Sequence, residues 1–383
     1  MNCLWLFMAL LAAALFVFPY LGYPLLLRLK KRRYDLEPSP APATWPRVTA
    51  VVAAYNCAAR IADKVRELRE LDYPGEVQIV IVDDCSSDDT AAQAELAGAD
   101  LVLRLSERRG KSEAQNVGSI EADGEVLLLT DATVTVKPDA LRLLVAKLLE
   151  PGVGCVTGVD RSVAADERDV NKGAGLYTRF EIGLRNREAQ TATLLGVNGC
   201  LYALRTDHRP PVPPECVDDL YVPLAVVDRG LRVTVAPEAV AIVRRAANQR
   251  EEFRRKVRTF TGGLFTLAVA RHDLPRAMER LRWSLIGHKW LRWGGPFLAC
   301  AALYFSLGFA LRNPWGYLLF APQALAWSLS LVGALLSGLG LRVSSPLRLA
   351  MFFGMVQLAL LRAWFRYLTD RPIAAWEPTR REN

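Results

Sequence analysis

No charged residue occurs before Arg28, and this uncharged start constrains the chain more than any other feature. At about 1.5 Å of rise per residue, residues 1–27 suffice to cross a hydrocarbon core of roughly 30 Å as a helix. No basic residue precedes the run, whereas Arg28, Lys30, Lys31, Arg32 and Arg33 follow it. A cleaved secretory signal has the opposite charge order, so residues 1–28 are expected to form an uncleaved anchor with the N-terminus outside. The competing explanation is a buried core helix, but core helices seldom stay uncharged for so long. A second apolar block begins near Gly294 and offers three spanning stretches within 294–366, at 296–311, 315–339 and 346–361. Four spans would leave the C-terminus outside. Arg362, Arg366, Arg371, Arg380 and Arg381, the last three in the 367–383 tail, argue for the cytoplasmic side. One stretch is therefore expected to be re-entrant or interfacial.

The hydrophobic fraction of 51% is concentrated at these two ends. A net charge of +8 raises the question of nucleic acid, but the basic residues cluster beside apolar segments. Attraction to anionic lipid head groups accounts for that placement, and no nucleic-acid partner is expected. Seven cysteines without a C-x-x-C pair, and three histidines without zinc-ligand spacing, exclude the common structural zinc patterns. They favour a reduced, cytoplasmic compartment.

Between residues 46 and 245 the pattern becomes that of an α/β domain. Val48–Ala54, 77–82, 101–105 and Val126–Thr130 are short runs of Val, Ile and Leu, suited to strands buried on both faces. Helical stretches at 58–71, 88–97 and 111–122 lie between them, which predicts a parallel sheet with right-handed crossovers. Ligands of such sheets bind beyond the carboxyl ends of the strands. Tyr55 and Asn56 follow the first run, Asp83 and Asp84 the second, and Asp131 the fourth. Helix capping by Ser86, Ser87 or Asp88 needs one polar group, whereas two adjacent carboxylates suit a nucleobase and ribose hydroxyls better. Asp131 taken alone is compatible with an ordinary strand-end turn. Arg108, Arg109 and Lys111 open the third helix, where they either meet a diphosphate or form a solvated charge run. P-loop and Gly-x-Gly-x-x-Gly patterns are absent.

Taken in order, these segments resemble the family 2 glycosyltransferases of the GT-A fold, the group of the cellulose, chitin and hyaluronan synthases. The matching stretches are Val51 to Asn56, Ile81 to Thr90, Gly110-Lys111 with Asn116, Leu128 to Thr133, and Gly196 to Gly199 running to Arg205. Asp218-Asp219-Leu220, Gly230, Pro237-Glu238-Ala239 and Arg254 to Arg258 follow, with Gly22-Tyr23-Pro24 and His288 to Trp293 flanking the set. The resemblance implies a GT-A domain with one N-terminal and about three C-terminal transmembrane helices. It implies that Tyr55, Asp83 and Asp84 hold base and ribose, with Lys111 near the pyrophosphate. Asp131 stands at the first aspartate of the Asp-x-Asp motif that binds Mg²⁺ or Mn²⁺ and the diphosphate. Asp219 stands at the catalytic base, with Asp218 beside it, and Arg255 and Arg258 match arginines near the diphosphate. Two departures are Thr133, in place of the second carboxylate, and Thr259, in place of a tryptophan that lines the acceptor site of processive synthases.

The resemblance thus implies a membrane-bound enzyme that moves a sugar, with inversion, from a nucleotide-sugar to a lipid-linked or polysaccharide acceptor. UDP is the expected nucleotide, and cell-surface or exopolysaccharide synthesis the expected setting. The catalytic domain would face the cytoplasm at the inner membrane. The alternatives are a processive synthase and a non-catalytic nucleotide-sugar-binding subunit of an export complex. Residues 246–293 are expected to lie at the membrane interface, with Trp283, Trp290 and Trp293 in the head-group layer.

Overall fold

The computed structural model describes residues 2–163, 172–244, 249–341 and 343–369. Expectations resting on Arg371, Arg380 and Arg381 fall outside the described residues. The chain opens with two helices, α1 (Asn2–Val17) and α2 (Gly22–Leu29), bent by 60° at their junction. The apolar start is thus bent and not straight. Pro19 lacks the N–H that would continue α1, and 16 residues span about 24 Å, short of a hydrocarbon core.

The four apolar runs become β1 (Val48–Ala54), β2 (Val77–Asp83), β3 (Leu101–Arg104) and β4 (Val126–Thr130). They pair in parallel in the order β3-β2-β1-β4. The crossovers are α3 (Ala58–Arg69), α4 (Thr90–Leu96) and α5 (Lys111–Ile120). Four more strands widen the sheet: β5 (Thr135–Val136), β6 (Val153–Val163), β7 (Leu201–Arg205) and β8 (Arg232–Arg244). The full order is β3-β2-β1-β4-β7-β6-β8-β5.

Strands β1 to β4 are parallel as the crossover pattern predicts, while the whole sheet is mixed. β7 runs antiparallel to both β4 and β6, with Leu201 paired to Thr130. The start of β7 thus lies at the same edge as the end of β4. A strand that starts at that edge runs away from it, antiparallel to β4.

Alternation along the strands feeds two apolar cores. Val48, Ala50 and Val52 join Ile61, Val65 and Leu68 of α3, with Leu141, Leu144 and Leu148 of α6 (Ala140–Leu148), on one face. Val51, Val80, Val82, Leu127 and Leu129 join the other face. Helices α7 (Lys172–Thr191), α8 (Asp218–Asp228) and α9 (Gln249–Asp273) supply the partners of that second core. Strands buried on both faces cannot alternate polar residues, which is why their runs are uninterrupted.

After Pro275–Arg280, the helical segment Arg282–Trp293 meets Gly295–Ala310 at 65°. Pro314–Gly338 and Ser345–Thr369 are each long and apolar enough to cross a membrane, and each bent pair would add one crossing if it counts as one span. Ser345–Thr369 also packs on the sheet-bearing half, with Phe352, Val356 and Leu360 in the second core and Phe265 and Tyr367 ring to ring at 5.0 Å. The expectation of three tryptophans in the head-group layer needs one correction. Trp283 is 63% exposed, but Trp293 is 6% exposed and lies against Gly263, where a Cβ would sit 2.6 Å from its ring.

Candidate active site

The carboxyl ends of β1, β2 and β4 form one edge. Asn56 and Cys85, just past β1 and β2, take positive φ of 48° and 60°, a conformation that side chains other than glycine seldom adopt. Asn56 Oδ1 accepts the Ser87 N–H at 2.9 Å, and Ser86 Oγ accepts the Asn56 N–H at 2.9 Å, so the two loops brace each other. Such local strain gathers at ligand clamps.

Asp83 and Asp84 are both buried at this edge. Asp83 accepts the Ser86 hydroxyl. Asp84 accepts the backbone N–H groups of Arg109 and Gly110 at 2.7 and 2.9 Å. Asp83 thus holds the loop after β2, and Asp84 holds the loop entering α5. The turn needs Gly110, whose φ is +92°. Arg108 lies 3.9 Å above the Tyr55 ring, so this guanidinium stacks on an aromatic face. Arg109 pairs with Glu107 at the surface.

Lys111, the first residue of α5, joins the remaining acids. Its Nζ lies 2.9 Å from Asp131 Oδ1 and 3.7 Å from Asp218 Oδ2, and donates to the Gly199 carbonyl at 2.8 Å. Burial opposes the charged ammonium, but Asp131 and then Asp218 outweigh it and hold its pKa above the ordinary lysine value. Asp131 also has Cys200 Sγ at 3.4 Å. Asp218 and Asp219 open α8 without capping it: the cap residue is Val217, and no side-chain cap bond forms.

The two acids diverge. Asp218 is buried and accepts the Tyr202 hydroxyl at 3.0 Å. Asp219 is half-buried beside Gly199, where a Cβ would come within 3.2 Å of its Cβ and Oδ2. Its backbone carbonyl accepts the Val197 N–H at 2.9 Å, which ties the 196–199 loop to the start of α8. Burial first, and the Asp218 charge second, push the Asp219 carboxyl up to about 6. A carboxylate poised near neutrality suits a general base.

Arg255 on α9 forms a two-point pair with Glu252 at 2.7 and 2.9 Å. Arg258 follows one helical turn later, half-buried. Thr259 is exposed and donates its hydroxyl to the Arg255 carbonyl at 3.0 Å. Asp84, Gly110, Lys111, Asp131 and Asp218 thus form a linked series, with Asp219 next to Asp218 in the chain. Sequence reasoning missed Gly199 as the wall of Asp219 and Tyr202 as the partner of Asp218. The Gly196-Val197-Asn198-Gly199 run was its only signal. Arg185 on α7 also acts on the Asp219 charge, and nothing in the sequence pointed to it.

A divalent ion would have Asp131 as its protein carboxylate, with Thr133 two residues on. Among the described residues no cluster of three or more acids, histidines or cysteines forms a cage. Mg²⁺-type ions commonly use one or two carboxylates plus substrate phosphates and water, so this donor set fits an ion completed by the donor.

Residues 49–204 match the model of glycosyl transferase family 2. An N-acetylglucosaminyltransferase of Rhizobium sp. (strain N33) is 23% identical over 326 residues, covering 74% of this chain and 68% of that protein. The succinoglycan biosynthesis protein ExoO of Rhizobium meliloti (strain 1021) is 34% identical over 128 residues, 33% of this chain and 34% of its own length. The chain therefore spans only about a third of ExoO. Among solved structures, the mannosyltransferase PcManGT from Pyrobaculum calidifontis, in complex with GDP-Man and Mn²⁺, superposes with a TM-score of 0.69 at 24% identity. It covers 95% of this chain and 99% of its own. The last likeness establishes the fold, a GT-A domain with apolar C-terminal helices.

Proposed function

Because this chain belongs to the family 2 glycosyltransferases through residues 49–204, we propose that it moves a sugar from a UDP-sugar to a lipid-linked or polysaccharide acceptor with inversion. The observation that carries this reading is Lys111, which joins Asp131 and Asp218 at one edge with Asp219 adjacent. Tyr55 under Arg108 offers a stacking surface for the nucleobase. The loop held by Asp84 leads into Lys111 at the first turn of α5, and a helix start with a lysine favours a diphosphate. Mg²⁺ or Mn²⁺ bound at Asp131 would neutralise charge developing on the leaving diphosphate.

Asp219 takes the proton of the acceptor hydroxyl as its oxygen forms the new bond to the anomeric carbon and the bond to the diphosphate breaks. Lys111, with Arg255 and Arg258, offsets the departing charge. Thr259 presents a short, internally bonded hydroxyl where an aromatic platform would line a growing chain, which favours one or few additions over processive synthesis.

A membrane setting is part of the same proposal, with the catalytic domain on the cytoplasmic side of the inner membrane. Leu318, Leu325, Leu331 and Leu335 are 58–67% exposed along one helix, a contiguous apolar surface that lipid would cover. Incubating the purified protein with a panel of nucleotide-sugars tests the reading, with release of the nucleoside diphosphate as the readout. No release from any donor would overturn it.

A further inference from the structure

The helix that carries Asp219 begins on a residue that cannot cap it. Val217 holds the cap position of α8, and its side chain has no oxygen to offer the free N–H groups of the first turn. Its backbone is the anchor instead: the Val217 carbonyl accepts the N–H groups of Leu220 and Tyr221 at 3.3 and 3.0 Å. Where Asp219 stands therefore depends on what holds residues 216 and 217. Two hydroxyls from other helices do so. Ser112, next to Lys111 on α5, donates to the Cys216 carbonyl at 3.0 Å. Thr266 of α9 accepts the Val217 N–H at 2.9 Å.

Thr266 is fully buried, at 0% exposure, so it acts from beneath the site and not within it. Its hydroxyl donates to the Gly262 carbonyl, one turn back, at 2.8 Å. Threonines in helices commonly make that backward bond, as Thr259 does to Arg255 on the same helix. Donation to Gly262 leaves the oxygen lone pairs for an incoming N–H, and Val217 supplies one. The close approach of α9 that this needs is permitted by Gly262. A Cβ at that position would lie 2.6 Å from Val217 Cγ1. On its far side, the same stretch of chain is tied once more, by the Val197 N–H bonded to the Asp219 carbonyl at 2.9 Å.

We propose that Thr266, set against Val217 by Gly262, is a positioning residue for the transfer, fixing the backbone from which α8 aims the Asp219 carboxylate. The inference rests on the transferase reading and adds a residue to that same site. Thr266 makes and breaks no bond in the reaction. Its effect passes through Val217 to Asp219.

With the active donor found by the nucleotide-sugar panel, nucleoside diphosphate release is followed for the full chain in detergent with water as acceptor. Rates are divided by the calorimetric stoichiometry for the matching nucleoside diphosphate, so that unfolded protein does not count. Thr266→Val keeps the side-chain shape and removes the acceptor of the Val217 N–H. It should lower kcat by about ten-fold, with the donor KM and the nucleoside diphosphate Kd held within about two-fold. Thr266→Ser should restore most of kcat. In the Asp219→Asn background Thr266→Val should cost nothing further, because the two changes act on one carboxylate. Gly262→Ala presses on Val217 while leaving the hydroxyl and the N–H in place. It should reproduce the loss of kcat, and it carries the test if Thr266→Val does not fold. An unchanged kcat, a loss that Thr266→Ser does not recover, or a loss that persists in full beside Asp219→Asn would overturn the positioning role and leave the transferase reading standing. No release from any nucleotide-sugar would overturn both.

Discussion

Lys111 Nζ stands 2.9 Å from Asp131 Oδ1, so the carboxylate that would meet a divalent ion is held by the protein's own cation. An ion entering with a diphosphate would take that carboxylate as a ligand, leaving Lys111 for the phosphate oxygens. Lys111→Met should therefore raise the donor KM by about ten- to a hundred-fold. It also leaves two acids without their cation, which costs on the order of 1–3 kcal/mol at this half-buried position. A thermal melt should show the loss, and adding Asp131→Asn to Lys111→Met should recover part of it.

Asp219→Asn should cut kcat by about 10²- to 10⁴-fold, the usual range for a positioned base. Nucleotide binding, followed by calorimetry, should persist. Substantial remaining turnover would reject Asp219 as the base.

The Asp219 carboxyl, raised to about 6, also sets two pH trends. Activity should climb as pH rises through about 6, because the base works only when ionised. For stability, a raised carboxyl pKa means that the folded state prefers the neutral group. Its stabilising contribution is complete below the unfolded value of about 4 and is lost as pH rises through 6. Asp219→Asn should therefore melt above the wild type at pH 8, with the gap closing toward pH 4.

Gly199→Ala would place a methyl 3.2 Å from Asp219 Oδ2, closer than ordinary packing allows. The carboxylate must move, and displacement of a reacting group by even a fraction of an ångström is costly. We expect kcat to fall by about ten-fold or more with the nucleotide Kd little altered; an unchanged kcat would remove Gly199 from the positioning of the base.

Thr133→Asp should restore a second carboxylate beside Asp131 and lower the Mn²⁺ concentration for half-maximal activity by roughly ten-fold. Chelation with EDTA should abolish turnover of both proteins, and a metal titration after chelation reads the difference.

Much of the donor half was legible in the sequence because local chemistry decides it. Strands buried on both faces require unbroken runs such as Val126–Thr130, and crossovers require helices between them, so the edge bearing Tyr55, Asp84 and Asp131 followed. Gly230 as a left-handed stop after α8 was readable for the same reason, and its φ is +86°. The resemblance supplied Asp219 and the GT-A frame, which no single run could. Tertiary structure alone decided the rest. The reversal of β7, which carries Gly199 to Asp219, depends on where a distant strand finds an open edge. The bend after α1, the burial of Trp293 against Gly263, and the meeting of Lys111 with both Asp131 and Asp218 depend on elements far apart in the chain. A carboxylate's type is written at its position, but its partner, its exposure and therefore its charge state are set by whatever folds against it.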